Sequence, residues 1–172
     1  MQMVERPIDL DALALRSGAA ERIELDLEPE PPAAGGGGLT LGSTPVAARI
    51  DVSRTSSGWA LRLRAGVVVL AECARCLGPA RLELEIDVRE VEQGEADDPD
   101  LRSPYVADGL LEPARWLRDA IVLALPDRVL CREDCAGLCA VCGVSLNEVD
   151  PATHVHDPEP DPRFAKLRDL LG

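Results

Sequence analysis

An α+β protein, an antiparallel β-sheet meander with a covering helix and a metal-bound C-terminal segment, is what this sequence predicts. Three observations predict it. Four stretches between residues 21 and 89 alternate apolar and polar residues with period two, the pattern of half-buried strands. The stretch 110–124 changes to apolar recurrence at three and four residues, the pattern of an amphipathic helix. Six cysteines and two histidines fall into four close pairs, three of them beyond that helix.

Taken in order, Ile8 to Leu15 reads as a short strand or a helical turn, ended by Gly18. Glu21 to Glu28 sets Ile23, Leu25 and Leu27 against Glu24, Asp26 and Glu28, a strand with one charged face. Pro29 to Gly38 stops regular structure; it lacks the Lys and Ser/Thr of a phosphate-binding loop and is expected to be a surface loop. Val46, Ala48, Ile50 and Val52 alternate next. A turn at Ser56-Ser57-Gly58 leads into Trp59, Leu61, Leu63, Ala65, Val67 and Val69, opposed by Arg62 and Arg64. Leu82, Leu84, Ile86 and Val88 follow Cys73-Ala-Arg-Cys76. Consecutive amphipathic strands with short turns define an antiparallel meander. Glu92 to Pro104 is acidic and poor in apolar residues, so an irregular loop is expected. Leu110, Leu111, Ala114, Leu117, Ala120, Ile121 and Ala124 form the helical stripe, with Pro113 near the first turn and Leu125-Pro126 at the end. Asp161-Pro162 opens a last short helix carrying Phe164, Leu167, Leu170 and Leu171. The expected division is a sheet-plus-helix core over 1–126 and a Cys/His-rich tail with its terminal helix over 127–172.

With 172 residues, 46% of them apolar, the chain can bury a core, and with two Trp, one Tyr and one Phe that core rests on Leu, Val, Ile and Ala. The formal charge of −13 opposes unassisted binding to nucleic-acid phosphates and favours basic partners, although charge also serves plain solubility. The first residues show no basic-then-apolar secretory pattern, and no apolar run reaches the roughly 18 residues that span a bilayer. Six cysteines in such a chain point to reduced thiols that bind metal, and to the cytoplasm.

A structural zinc ion takes four ligands, commonly as two pairs from separate turns. Cys73/Cys76 and Cys139/Cys142 have C-x-x-C spacing, the second followed by Gly143. Cys131 and Cys135 stand at i and i+4, as on one helical turn, and His154 and His156 alternate as on an extended segment. The favoured pairing is Cys73, Cys76, Cys131 and Cys135 at one site and Cys139, Cys142, His154 and His156 at another. The competing pairing gathers Cys131, Cys135, Cys139 and Cys142 on a single ion and leaves the rest idle. One or two structural Zn²⁺ ions are expected, since full protein coordination leaves no position for an activated water. No Gly-x-Ser-x-Gly, dinucleotide fingerprint or zinc-deaminase signature occurs, and no enzyme is expected. A redox role for Cys73 and Cys76 would require that pair to be free of metal.

The block Leu130-Cys131-Arg132-Glu133-Asp134-Cys135-Ala136-Gly137-Leu138-Cys139-Ala140-Val141-Cys142-Gly143, with Leu146-Asn147 after it and Cys73-Ala-Arg-Cys76-Leu before it, resembles the YceD family, the large ribosomal RNA subunit accumulation proteins. The resemblance runs from about Ile8 to the C-terminus. It implies a factor for 23S rRNA accumulation and large-subunit biogenesis, and a cysteine pair where this chain has His154 and His156. Members without the tail imply that the second site is not the shared function. Against the charge of −13, two accounts of the partner fit. A basic ribosomal protein or the large-subunit precursor is preferred; local rRNA contact through Arg62, Arg64, Arg75 and Arg81, near the first Cys pair, is the other. A zinc-ribbon adaptor unrelated to ribosomes is the alternative from a different class.

Overall fold

A computed structural model of the chain describes residues 7–31, 38–94, 98–150 and 152–156. Strand β1 (Ile8–Asp9) runs into a 3-10 turn at Asp11–Leu13, so both readings of that stretch hold in succession. Strands β2 (Ala20–Leu27), β3 (Thr40–Leu41), β4 (Val46–Arg54), β5 (Trp59–Glu72) and β6 (Pro79–Glu92) make the main sheet. Strands β7 (Val106–Ala107) and β8 (Leu110–Leu111) join β1 in a small second sheet, and helix α1 spans Pro113–Ala124.

All main-sheet pairings are antiparallel, and β2, β4, β5 and β6 follow one another as a meander. Its longest pairing is β5 with β6, in register from Trp59↔Glu92 to Glu72↔Pro79. The other edge of β5 is shared: β4 takes Trp59 to Ala65, and β3 takes Val69 and Leu70.

Period-two alternation places the side chains as expected. Val46, Ala48, Ile50 and Val52 of β4 and Trp59, Leu61, Leu63, Ala65, Val67 and Val69 of β5 all face inward and are buried. Helix α1 lies over this face and buries Trp116, Leu117, Ala120 and Ile121, with Leu10 and Leu111 beside them. Trp116 is 1% exposed and stacks on Tyr105 at a centroid distance of 6.0 Å. The opposite face carries charge in complementary rows. Arg22 Nε donates to Asp51 at 2.7 Å, Arg64 also reaches Asp51, and Arg62 Nε donates to Asp87 at 2.7 Å.

Four expectations change. Leu110 and Leu111 belong to β8, not to the helix; two adjacent leucines satisfy a helical period, but Pro113 at N1 fixes the start and β1 supplies a pairing edge. Trp116 belongs to the buried stripe, and Ala124 is exposed. Strand β3 falls after the glycine run, too short to show an alternation. The acidic stretch 92–104 is partly ordered: Gln93 N–H donates to Leu101 O, Pro99–Leu101 is a 3-10 turn, and the buried Glu92 accepts from Ser103 N–H at 2.7 Å. The expected terminal helix from Asp161 lies outside the described residues.

Candidate metal centre

The hairpin joining β5 to β6 builds half of the first cluster. Cys73 N–H donates to Gly78 O at 2.8 Å and Leu77 N–H to Cys73 O at 2.9 Å, closing a tight knuckle around Cys73 and Cys76. The segment after α1 comes back to it through Ala74 N–H, which donates to Val129 O at 2.9 Å. Arg75 locks the two together: Nη1 donates to Cys135 O at 2.8 Å. Gly137 sits at φ +81 with its missing Cβ 3.2 Å from Arg75 O, a position where a side chain would combine left-handed strain with crowding.

These contacts gather Cys73, Cys76, Cys131 and Cys135, with all ligand atoms within 4.8 Å of one another. Cys73 and Cys135 sulfurs lie 3.7 Å apart, as do those of Cys76 and Cys131. A tetrahedron with sulfurs about 2.3 Å from its centre has edges of about 3.8 Å, so this spacing fits an S₄ metal site. A second cluster holds Cys139, Cys142, His154 and His156, again within 4.8 Å. Cys142 Sγ is 3.6 Å from His154 Nε2, and the two Nε2 atoms are 3.0 Å apart. The loop between Cys139 and Cys142 closes through Gly143 N–H to Cys139 O and Cys139 N–H to Val144 O, both at 2.8 Å.

Thiol electrostatics suit a cation. The backbone N–H of Cys76 draws Cys73 down to about 6, and the Asn147 amide draws Cys135 down. Burial, together with the facing thiols of Cys135, Cys76 and Cys73, pushes Cys131 up to about 12. Four sulfurs packed this closely resist carrying four negative charges, a repulsion that a divalent ion at their centre removes. In the second cluster, the Cys142 backbone N–H and then His154 draw Cys139 down to about 6.

The ligand grouping is thus the favoured of the two pairings, not the gathering of Cys131, Cys135, Cys139 and Cys142. Cys131 and Cys135 converge through a turn closed by Cys135 N–H to Arg132 O at 3.2 Å, not through a helical turn. The extended reading of the histidines agrees with the placement: Val155 between them is 77% exposed while both rings turn inward. The arginines do not form one group beside the knuckle. Arg62 and Arg64 lie 11 and nine positions before Cys73 on an extended strand, about 30–36 Å away. Arg81 pairs with Glu83 at 2.9 Å; only Arg75 touches the cluster. Asn147, whose Nδ2 donates to Cys135 Sγ at 3.4 Å, enters the sequence reading only as part of the family-like block; its contact with the first cluster is not legible there, because one Asn in a loop carries no periodic signal.

An antiparallel meander carrying a C-x-x-C knuckle, closed by a tail with two compact Cys/His clusters, defines a β-sheet protein with paired candidate metal centres. The family model for "Large ribosomal RNA subunit accumulation protein YceD" matches residues 61–171, which include every cluster ligand. The chain belongs to the YceD family. It is also 33% identical over 132 residues to uncharacterized proteins of Mycobacterium tuberculosis and Mycobacterium bovis, covering 72% of this chain and 60% of theirs. A Mycobacterium leprae protein, likewise uncharacterized, is 33% identical over 108 residues, 60% of this chain and 48% of its own. The chain therefore spans less than two thirds of these relatives' length. No solved structure matches it. Among the described residues, no helix is long and apolar enough to cross a membrane.

Proposed function

We propose that the protein is a non-catalytic cytoplasmic factor for 23S rRNA accumulation and large ribosomal subunit biogenesis, holding a structural zinc ion in each cluster. The family match over residues 61–171 carries this reading. Closed four-ligand sets support a structural rather than catalytic metal, because neither leaves a protein-free coordination position.

The partner is a basic ribosomal protein or the protein surface of a large-subunit precursor. The charge of −13 favours a basic partner. The arginines that would serve RNA are engaged within the chain: Arg62 with Asp87, Arg64 with Asp51, Arg81 with Glu83 and Arg75 with a backbone carbonyl. Leu77, Val141 and Val155, each beside or between cluster ligands, are 64%, 72% and 77% exposed and offer apolar contacts to a protein.

The test is the ratio of 23S to 16S rRNA, with gradient profiles, in cells depleted of the protein. A fall in 23S, rescued by wild type but not by a stably accumulating Cys73→Ser/Cys76→Ser variant, is expected. An unchanged ratio with normal large subunits would remove the ribosomal reading and leave a zinc-ribbon adaptor.

A further inference from the structure

The side chain of Asn147 joins the two clusters. By sequence it belongs to the second, on the loop between Cys142 and His154. Its backbone neighbourhood is held by Leu146 N–H donating to Gly137 O at 2.8 Å and by the bridge between Leu138 and Ser145. Its side chain serves the first cluster throughout. Nδ2 donates to Cys135 Sγ at 3.4 Å, while Oδ1 accepts from Ala136 N–H at 2.8 Å and from Arg132 Nη2 at 2.9 Å. One short amide thus grips a ligand sulfur and the two residues that set the path of its chain.

Cys135 is 1% exposed, so the Asn147 amide cannot simply be exchanged for bulk water. An N–H aimed at a ligand sulfur stabilises its charge and fixes its direction, and removing such an outer partner typically weakens metal binding 10- to 100-fold. Asn has only two side-chain torsions, so its reach depends on where the backbone of 144–148 lies. That backbone sits inside the loop which the second cluster closes, from Cys139 and Cys142 to His154 and His156. An ion in the second cluster would therefore hold Asn147 against the first.

We infer that Asn147 couples the two clusters, so that a thiophilic divalent cation bound by Cys139, Cys142, His154 and His156 raises the affinity of the Cys73–Cys76–Cys131–Cys135 cluster for a second such cation. Linkage requires the reverse effect to be equal. The inference rests on the reading of both clusters as metal sites.

The experiment is an anaerobic Co²⁺ titration of the full reduced chain. Sulfur-to-cobalt charge transfer reports thiolate binding, and the visible d–d bands separate an S₄ from an S₂N₂ site. Four proteins are compared: wild type, His154→Ala/His156→Ala, Asn147→Ala, and the triple variant. Asn147→Asp, which keeps the acceptor for Ala136 and Arg132 but loses the donor to Cys135, is added to isolate that single bond. The histidine double variant is expected to weaken the S₄ site about 10-fold or more in the wild-type background. With Asn147→Ala already present it should add nothing, and Asn147→Asp should behave like Asn147→Ala. Far-UV circular dichroism verifies that the sheet is intact in each. S₄ affinity indifferent to the histidine substitution, or effects that multiply independently, would overturn the coupling while leaving the metal sites standing. Absence of any sulfur–cobalt band would overturn both.

Discussion

Chelation should unfold the tail and leave the sheet intact, because the two are held by different forces. The main core ends at Leu125; beyond it, Cys135 packs in a small separate cluster with Cys73 and Ala80, touched by Val129 and Leu130. Among the described residues of 127–156, only Cys135 and Gly137 are fully buried. Crediting the half-buried Val129, Leu130, Leu138, Leu146 and Val149 with about 1 kcal/mol each gives about 5 kcal/mol. Fixing one residue's backbone costs about 1–2 kcal/mol, so this burial offsets the ordering of only about three to five residues. A structural zinc supplies roughly 10–16 kcal/mol of apparent folding free energy. Hydrogen exchange of the full chain, with and without a strong zinc chelator, measures the difference. The N–H groups of Ala136, Cys139, Gly143 and Leu146 are all hydrogen-bonded and should lose protection by at least about 100-fold on chelation. Those of β4, β5 and β6 should stay protected. Tail amides that remain protected without metal, or a sheet that opens together with the tail, would refute the reasoning.

Other outcomes follow from the same geometry. Trp116→Ala should cost about 3–5 kcal/mol and lower the melting temperature by roughly 6–20 °C, read by calorimetry, with no change in the cobalt spectrum. Gly58→Ala should destabilise by at least about 2 kcal/mol in denaturant titration, because its Cβ would fall 1.8 Å from Glu92 O. Metal loading at neutral pH should release protons, Cys131's among them, since its thiol, pushed up to about 12, is still protonated there; titration in weak buffer with an indicator detects them. Cys73 and Cys139, drawn down to about 6, are already ionised above that pH and take up protons below it, so the metal affinity of both clusters should fall more steeply with pH below about 6 than above it. Asp51, held below the ordinary carboxylate range by Arg22 and, despite the opposing effect of burial, by Arg64, contributes stability that is present above that range and lost as pH falls through its lowered value. Asp51→Asn should cost about 1 kcal/mol at neutral pH and flatten the acid limb of a stability–pH curve.

Where one physical signal dominates, the chain states its structure openly. In β4 and β5 every second residue is apolar, and a one-residue slip would expose the whole set, so their inward faces are legible. The ligand pairs are legible for a similar reason, since soft ligands two to four residues apart have few other uses. Local ambiguity hides the rest. Leu110 and Leu111 fit helix and strand alike, and only pairing with Ile8 and Asp9, about 100 positions away, decides between them. Nor does spacing reveal how far the two arginines lie from Cys73; that follows once β5 is known to stay extended over 14 residues up to Glu72, just before that cysteine. The pairing of one cluster with the other, through Asn147, is tertiary in origin and invisible in any window of sequence.

The two clusters differ in what they ask of an unfolded chain. Cys142 and His154 are 12 positions apart, whereas Cys73 and Cys135 are 62 apart. Closing the longer loop in a disordered polymer costs about 1.5 kcal/mol more by chain-closure statistics. The second cluster is therefore within reach of its own segment alone, whether or not the sheet has formed. The first is not: its halves meet only after the β5–β6 hairpin has zipped and α1 has carried the chain back. An ion seated there would be a record of completed topology, telling a partner that touches the knuckle that the whole core behind it is assembled.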